Sequence, residues 1–249
     1  MGQEQDTDPE WQLPKGDLSL PRDEVHIWRA SLDQSQILAD FEALLAPDER
    51  QRAARLRLKR DRDRFVIARG VLRILLGRYL HRNPADLAFS YSLHGKPFLD
   101  ITSSGDLRFN LSHSHGLGLF AFARGRELGI DLEFVRNDVA AEQIAERFFS
   151  AAEAACLRTL PADKKVEAFF NCWTRKEAFV KARGEGLSLP LDQFDVSLAP
   201  GEPAALLSRL ATVDINRWSL IDVLAGDGYK AALVAEGRDW RLRCWQWTG

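Results

Sequence analysis

The chain has 249 residues, 45% of them apolar and 28% charged, with a net charge of -2; these are the proportions of an ordinary soluble protein, long enough to bury a proper core. Three cysteines without paired spacing, Cys156, Cys172 and Cys244, indicate neither a disulfide framework nor a zinc site and suit a reducing cytoplasm. The acidic start MGQEQDTDPE is the reverse of a secretory signal, Asp6 stands where a myristoylation signal needs Ser or Thr, and the longest apolar run, Leu117 to Ala123, is far short of the roughly 20 residues of a membrane helix.

Residues 1–20 lack periodicity and are expected to form a loose tail. Val25 to Ala30 alternates and reads as a strand, followed by a short amphipathic helix from Ser35 to Leu45 that Pro47 closes. A helical stretch runs from Asp48 to His81, broken near Lys59-Arg60-Asp61, with Phe65, Ile67, Ala68, Val71, Leu72, Leu75 and Leu76 at helical spacing. Asn83-Pro84 ends it. Strands follow at Phe89–Tyr91, Leu107–Leu111, Leu117–Ala123 and Gly129–Phe134, with a turn at His94-Gly95-Lys96-Pro97. Helices at Ala140–Phe148, Ala151–Thr159 and Lys165–Arg183 come next, the last stopped by Gly184 and Gly186. Phe194–Leu198, Trp218–Val223, Tyr229–Ala235 and Leu242–Trp247 read as strands. Both halves thus follow one order, strand, helices, then antiparallel strands. The expected fold is α+β with two similar α/β lobes, residues 21–128 and 129–249, the last strand being free to return to the first lobe.

Two segments carry the chemistry. In Gly129-Ile-Asp-Leu-Glu133, period-two geometry puts Asp131 and Glu133 on one face and Ile130, Leu132 and Phe134 on the other. Two carboxylates about 4 Å apart at an effective dielectric near 20 repel by roughly 4 kcal/mol, so such a pair wants a cation, and oxygen ligands favour magnesium. In Trp173-Thr-Arg-Lys-Glu-Ala-Phe-Val-Lys181, Glu177 and Lys181 lie one turn apart on a greasy helix, where charges need partners. The bland alternatives are a solvated strand edge and an exposed ion pair worth about 0.3–0.5 kcal/mol. Asn110-Leu-Ser-His-Ser-His115 offers hydroxyl, amide and imidazole donors in a tight turn, Lys96 is one cation in a fixed backbone, and Arg50 to Arg64 is a dense basic run able to grip phosphate, RNA or an acidic protein.

GKP, NLSHS, GIDLE and WTRKEAFVKA occur in that order, and together they resemble the Sfp-type 4′-phosphopantetheinyl transferases over residues 25–235. The length resembles the two-lobed, pseudo-twofold monomeric subfamily rather than the half-size trimeric synthases. The resemblance implies transfer of the phosphopantetheine arm of coenzyme A to a serine of an acyl or peptidyl carrier protein of fatty-acid, polyketide or nonribosomal-peptide synthesis, releasing 3′,5′-ADP. It implies that Asp131, Glu133 and Glu177 hold Mg2+, that Lys181, with Lys176 as a second candidate, offsets phosphate charge, and that Glu177, Glu133 or a metal-bound water takes the serine proton. It places Gly95, Lys96, Pro97, Ser112 and His113 on coenzyme A and Arg64 near the 3′-phosphate. Neither nucleic acid nor a membrane is implied as a partner. Carrier contacts are expected near Phe148 and Phe149 and along the arginine run. His115 and the acidic tail receive no task. The rival readings are a magnesium-dependent nuclease, which leaves His113 and Lys96 unexplained, and a non-catalytic RNA- or phosphate-binding protein using the arginine helix.

Overall fold

The computed structural model describes residues 10–14, 16, 18–92, 95–99, 105–184, 189–207 and 214–249. His94 and Gly186 of the sequence reading lie outside them. Nine strands and six α-helices alternate along the described residues: β1 (Glu24–Ser31), α1 (Leu38–Leu44), α2 (Pro47–Ala54), α3 (Lys59–Leu80), β2 (Phe89–Tyr91), β3 (Pro97–Leu99), β4 (Leu107–Ser114), β5 (Leu117–Arg124), β6 (Leu128–Phe134), α4 (Ala141–Phe148), α5 (Ala151–Thr159), α6 (Ala162–Arg183), β7 (Trp218–Asp222), β8 (Tyr229–Glu236) and β9 (Arg241–Gln246). They form a mixed α/β structure with a four-stranded sheet, β4-β5-β1-β9, a three-stranded sheet, β6-β8-β7, and the small hairpin β2-β3. Strand β9 runs parallel to β1, so the C-terminal residues complete a sheet begun near the N-terminus.

Period-two alternation divides the two large sheets into layers. In β1 and β5, Trp28, Ala30, Phe120 and Phe122 face α3. Their neighbours Val25, Ile27, Leu119, Ala121 and Ala123 face the other way, onto Leu128, Ile130, Leu132, Leu233 and Ala235 of the second sheet. The opposite face of β8, Ala232 and Val234, packs under α6 with Phe179 and Trp218. A strand such as β5, LGLFAFAR, is buried on both faces and therefore reads as a continuous apolar run.

Several expectations change. The break in the long helical stretch falls at Arg55–Leu58, ahead of Lys59, because α3 starts there and runs unbroken for 22 residues. Strand β4 continues to Ser114, paired with Leu117, so Ser112 and His113 are strand residues and the tight turn shrinks to His115-Gly116. His115 takes a left-handed conformation there (φ 51°) with its ring 4.3 Å from that of Phe134. The expected strand at Phe194–Leu198 is an isolated bridge, Val196 to Leu206. The N-terminal stretch is not loose throughout: Gln12 pairs with β9 through Cys244 O and the Gln246 amide, and the Trp11 indole donates to Leu224 O (2.9 Å) beneath the Arg29 guanidinium.

Candidate active site

The segment Gly129-Ile-Asp-Leu-Glu133 is strand β6, with Ile130 and Leu132 buried between the sheets. The alternate set, Gly129, Asp131 and Glu133, faces α6. Contact there is close enough to require glycine: a Cβ on Gly129 would lie 2.2 Å from Ala178 O and 2.3 Å from Ala182 N. That approach brings the last turns of α6 onto the strand and sets Lys181 beside Asp131.

Lys181 Nζ donates to Asp131 Oδ1 (2.6 Å), to Ser112 Oγ (3.0 Å) and to Ile130 O (3.3 Å). Asp131 is 3% exposed, and its second oxygen, Oδ2, is buried with no hydrogen-bond partner. Glu133 accepts from Ser114 Oγ (3.1 Å). Its carboxyl is pushed above the ordinary range by burial and then by Asp131, with Glu177 adding to the effect. Glu177, half-buried one turn before Lys181, is raised by burial and then by Asp131, and Lys181 opposes the shift. Three carboxylates thus share one ammonium. Among the described residues no group of three or more acidic, imidazole or thiol side chains is arranged around a common point for a metal ion. Lys181 sits on Asp131 Oδ1. The donor set still fits a hard divalent cation, because the oxygens are deficient in positive charge and Asp131 Oδ2 lacks a partner.

A cleft of about 510 Å³ opens beside this cluster, lined by Gly95, Lys96, Pro97, Ser112, His113, Glu177 and Lys181 together with Arg52, Arg69 and Phe65. The His113 imidazole faces the open cleft, and its pKa is pulled down by the surrounding low-dielectric walls, then by Lys181, Arg69 and Arg64. Lys96 is tied down: Nζ donates to Lys181 O (2.6 Å) and Leu128 O (3.4 Å), which locks the loop to the end of α6. Arg64 is held by a bidentate pair with Asp33 (2.7 and 2.9 Å) and does not line the cleft. Lys176 is buried away from the cleft where a phosphate would lie: it is 0% exposed, paired to Glu153 (2.7 Å), and donates to Leu191 O and Phe194 O. The arginine run is divided as well. Lys59 pairs with Asp63, Arg64 with Asp33, and Arg52 turns into the cleft.

Ser112 was expected at the site, but two features were missed: the joining role of its neighbours Asn110 and Ser114, and Arg69. Asn110, Ser112 and Ser114 alternate on β4 and join it to β6 through side chains: Asn110 Oδ1 accepts from Ile130 N (2.8 Å), Ser112 Oγ lies 3.0 Å from Asp131 Oδ1, and Ser114 Oγ accepts from Phe134 N (3.0 Å). Their period of two was a readable signal. The other is Arg69, whose only trace in the sequence is a cation within the apolar run of α3.

The 4′-phosphopantetheinyl transferase superfamily, as a family model, matches residues 127–234, and the model for an N-terminal 4′-phosphopantetheinyl transferase region matches residues 26–123. The chain is 41% identical over 238 residues to the 4′-phosphopantetheinyl transferase HetI of Nostoc sp. strain PCC 7120, covering 94% of this chain and 98% of that protein. It is 34% identical over 158 residues to the 4′-phosphopantetheinyl transferase Sfp of Bacillus subtilis strain 168, covering 64% of this chain and 68% of that one.

Proposed function

This chain belongs to the 4′-phosphopantetheinyl transferase family, and from that membership we propose how its residues move the phosphopantetheine arm of coenzyme A onto a serine of an acyl or peptidyl carrier protein, releasing 3′,5′-ADP. The observation that carries the assignment of roles is Lys181, which joins Ser112 of β4 and Asp131 of β6 at the edge of a cation-rich cleft. Asp131, Glu133 and Glu177 would hold Mg2+, which when bound neutralises diphosphate charge and acts as a Lewis acid.

The nucleotide end of coenzyme A enters the cleft along Gly95-Lys96-Pro97, and His113 and the Ser112 hydroxyl donate to phosphate oxygens. Lys181 exchanges Asp131 for an oxygen of the reacting phosphate and offsets the charge that grows there. The carrier serine Oγ attacks the β-phosphorus, its proton passes to the carboxylate of Glu177 or Glu133, and the bond to the 3′,5′-ADP oxygen breaks. Burial keeps both carboxyls more basic than usual, which suits that task. Lys96 acts as a strut for the loop.

Residues of both halves meet in this one site, which supports a monomeric, two-lobed enzyme. Three free thiols support a cytoplasmic setting. Among the described residues no helix is long and apolar enough to cross a membrane. Exposed Phe148, edge-on to Trp173, and exposed Leu58 beside the arginines offer apolar and basic contacts for a carrier protein. The relatives named above are phosphopantetheinyl transferases, which favours this reading over the nuclease and RNA-binding alternatives.

The test is the mass of an apo carrier protein after incubation with coenzyme A, Mg2+ and this protein. One phosphopantetheine should be gained, and none with EDTA or with Asp131→Ala. A thermal melt read alongside should rise on adding Mg2+ in the wild type and stay unmoved in Asp131→Ala. No gain on fatty-acid, polyketide or peptide carriers would overturn the proposal, and an Mg2+ response that survives Asp131→Ala would remove the cation from this site.

A further inference from the structure

Helix α6 supplies ion-pair partners to charged side chains of the sheet face that it covers. Lys181 meets Asp131 of β6 (2.6 Å), Arg175 takes both oxygens of Asp222 of β7 (2.9 and 2.6 Å), and Glu167 accepts from Lys230 Nζ of β8 (2.7 Å). One carboxylate of that face, Glu133, has no ion pair among the described residues and accepts from the hydroxyl of Ser114 (3.1 Å). Lys230 is nevertheless its direct neighbour: the β6–β8 register sets Glu133 opposite Lys230 and Asp131 opposite Ala232. Residues so paired share a face with Cβ atoms about 4.5–5.5 Å apart, and an opposite charge there is the ordinary partner.

The ammonium of Lys230 leans the other way. Glu167 stands ten residues before Glu177 on α6, about 15 Å along the axis, so its carboxylate draws Lys230 toward the N-terminal end of the helix and away from Glu177. The pair is half-exposed, 32% for the lysine side chain and 36% for the glutamate, and neither residue lines the cleft. Charge decides what this arrangement does. Asp131, Glu133 and Glu177, when ionised, carry three negative charges, and Lys181 offsets one of them. The remaining two match a divalent cation. A second ammonium, on Glu133, would leave one and would occupy oxygens that the cation needs.

We propose that Glu167 is a positioning residue of the cation site: it holds Lys230 off Glu133 and so leaves that carboxylate open to Mg2+. The assignment rests on the cation site of the transferase reading above. Glu167 touches neither cation nor substrate and acts through Lys230 alone. Loss of its charge releases the ammonium to the carboxylate directly across the ladder. Lysine and Mg2+ then compete for Glu133, and a site open for a tenth of the time binds about tenfold more weakly.

The experiment titrates Mg2+ against the melting temperature of the protein without coenzyme A, in the wild type, Glu167→Gln, Glu167→Asp, Lys230→Met and the double variant Glu167→Gln with Lys230→Met. At their exposure both positions should accept these changes without loss of the fold. The Mg2+ concentration that gives half the rise should increase by roughly 5- to 10-fold in Glu167→Gln, stay within about twofold of the wild type in Lys230→Met, and return to that range in the double variant. Glu167→Asp keeps the charge and should fall between. In carrier modification, Glu167→Gln should show the same shift in Mg2+ requirement, with kcat near that of the wild type at saturating Mg2+. A role in packing alone would give the opposite: a lower melting temperature, an unchanged Mg2+ midpoint and no rescue by Lys230→Met. An unshifted midpoint in Glu167→Gln, or a shifted one that Lys230→Met does not restore, overturns the proposal. So does a wild type whose melting ignores Mg2+, and carrier modification by that same protein leaves the transferase reading standing. Failure to modify any carrier overturns that reading, and the Mg2+ titrations still decide the role of Glu167.

Discussion

Gly129→Ala is the smallest change that should separate α6 from β6. The added Cβ would meet Ala178 O at 2.2 Å, Ala182 N at 2.3 Å and Lys181 C at 2.8 Å, all of them main chain. Ordinary contact begins near 3.4 Å, so the helix must withdraw by roughly 1 Å, because no side chain is there to move aside. Overpacking of this kind costs about 1–3 kcal/mol, and for a chain of this size a 2 kcal/mol loss lowers the melting temperature by about 4–8 °C. The withdrawn segment contains Glu177 and Lys181, whose Nζ now sits 2.6 Å from Asp131 Oδ1. A misplacement of about 1 Å in a catalytic group can cost roughly 100-fold in rate. The assay is carrier modification under single-turnover conditions, with saturating coenzyme A, on protein whose folded fraction is fixed by melting. The rate of the chemical step should fall by about 100-fold while coenzyme A affinity changes far less. Wild-type rate and melting temperature in Gly129→Ala would refute the close packing on which the placement of Lys181 depends.

The two lysines of α6 should part company. Lys176→Met leaves Glu153 charged and buried, where it also accepts from the Ser150 and Val196 amides, and loss of a buried partner costs about 3–5 kcal/mol; a melt should show that, with activity per folded molecule retained. Lys181→Met, at a half-buried position open to the cleft, should lower kcat by at least roughly 100-fold with the smaller change in melting, and the reverse pattern would exchange their roles. Stability should also weaken in mild acid through His26, whose Nδ1 faces Tyr79 Oη (2.8 Å) and whose Nε2 faces Glu24 Oε2 (3.0 Å). Since the Trp28 indole donates to that hydroxyl, Tyr79 donates on to Nδ1 and the ring is held neutral, with burial pulling its pKa below 6.5. The unfolded chain then binds the extra proton, so stability is full above about pH 6.5 and falls as the pH drops toward the folded pKa. Melting temperatures between pH 7 and 5 should decline less steeply in His26→Gln; an equal slope would show that His26 is not the group responsible.

Periodicity made the layers legible. The all-apolar β5, the stripe of α3 and the split of β6 into Ile130 and Leu132 against Asp131 and Glu133 all follow from side-chain direction alone. The placing of Glu177 and Lys181 one turn apart on α6 follows likewise from helical geometry. Partner choice was not legible, because charge patterns do not say which carboxylate a cation meets. Lys176 and Lys181 are five residues apart and read alike, yet one closes on Glu153 inside the core and the other on Asp131 at the cleft. Arg64 reads as a phosphate contact, and nothing in the sequence shows that Asp33, 31 positions away, meets its Nε and Nη2. The extension of β4 through His113 was hidden by the polar residues Asn110, Ser112 and Ser114, which weaken strand propensity but have a use that appears only when β6 lies alongside.

That use explains where the site lies. Strands β4 and β6 are edges of their two sheets, and an edge leaves a row of amides and carbonyls without ladder partners. The two edges do not form a ladder with each other; Asn110 and Ser114 reach across to the amides of Ile130 and Phe134 in its place. Side chains keep the strands further apart than a ladder would, and the space between them admits other groups. At the middle of the seam Ser112 meets Asp131 instead of main chain, and Lys181 enters there from α6 to bond Ser112, Asp131 and Ile130 O at once. A continuous sheet would have satisfied the same amides by backbone pairing and left no room for the ammonium. The polar seam thus joins the two sheets, and in the proposed reading it is also the wall that holds the diphosphate between Ser112, His113 and Lys181.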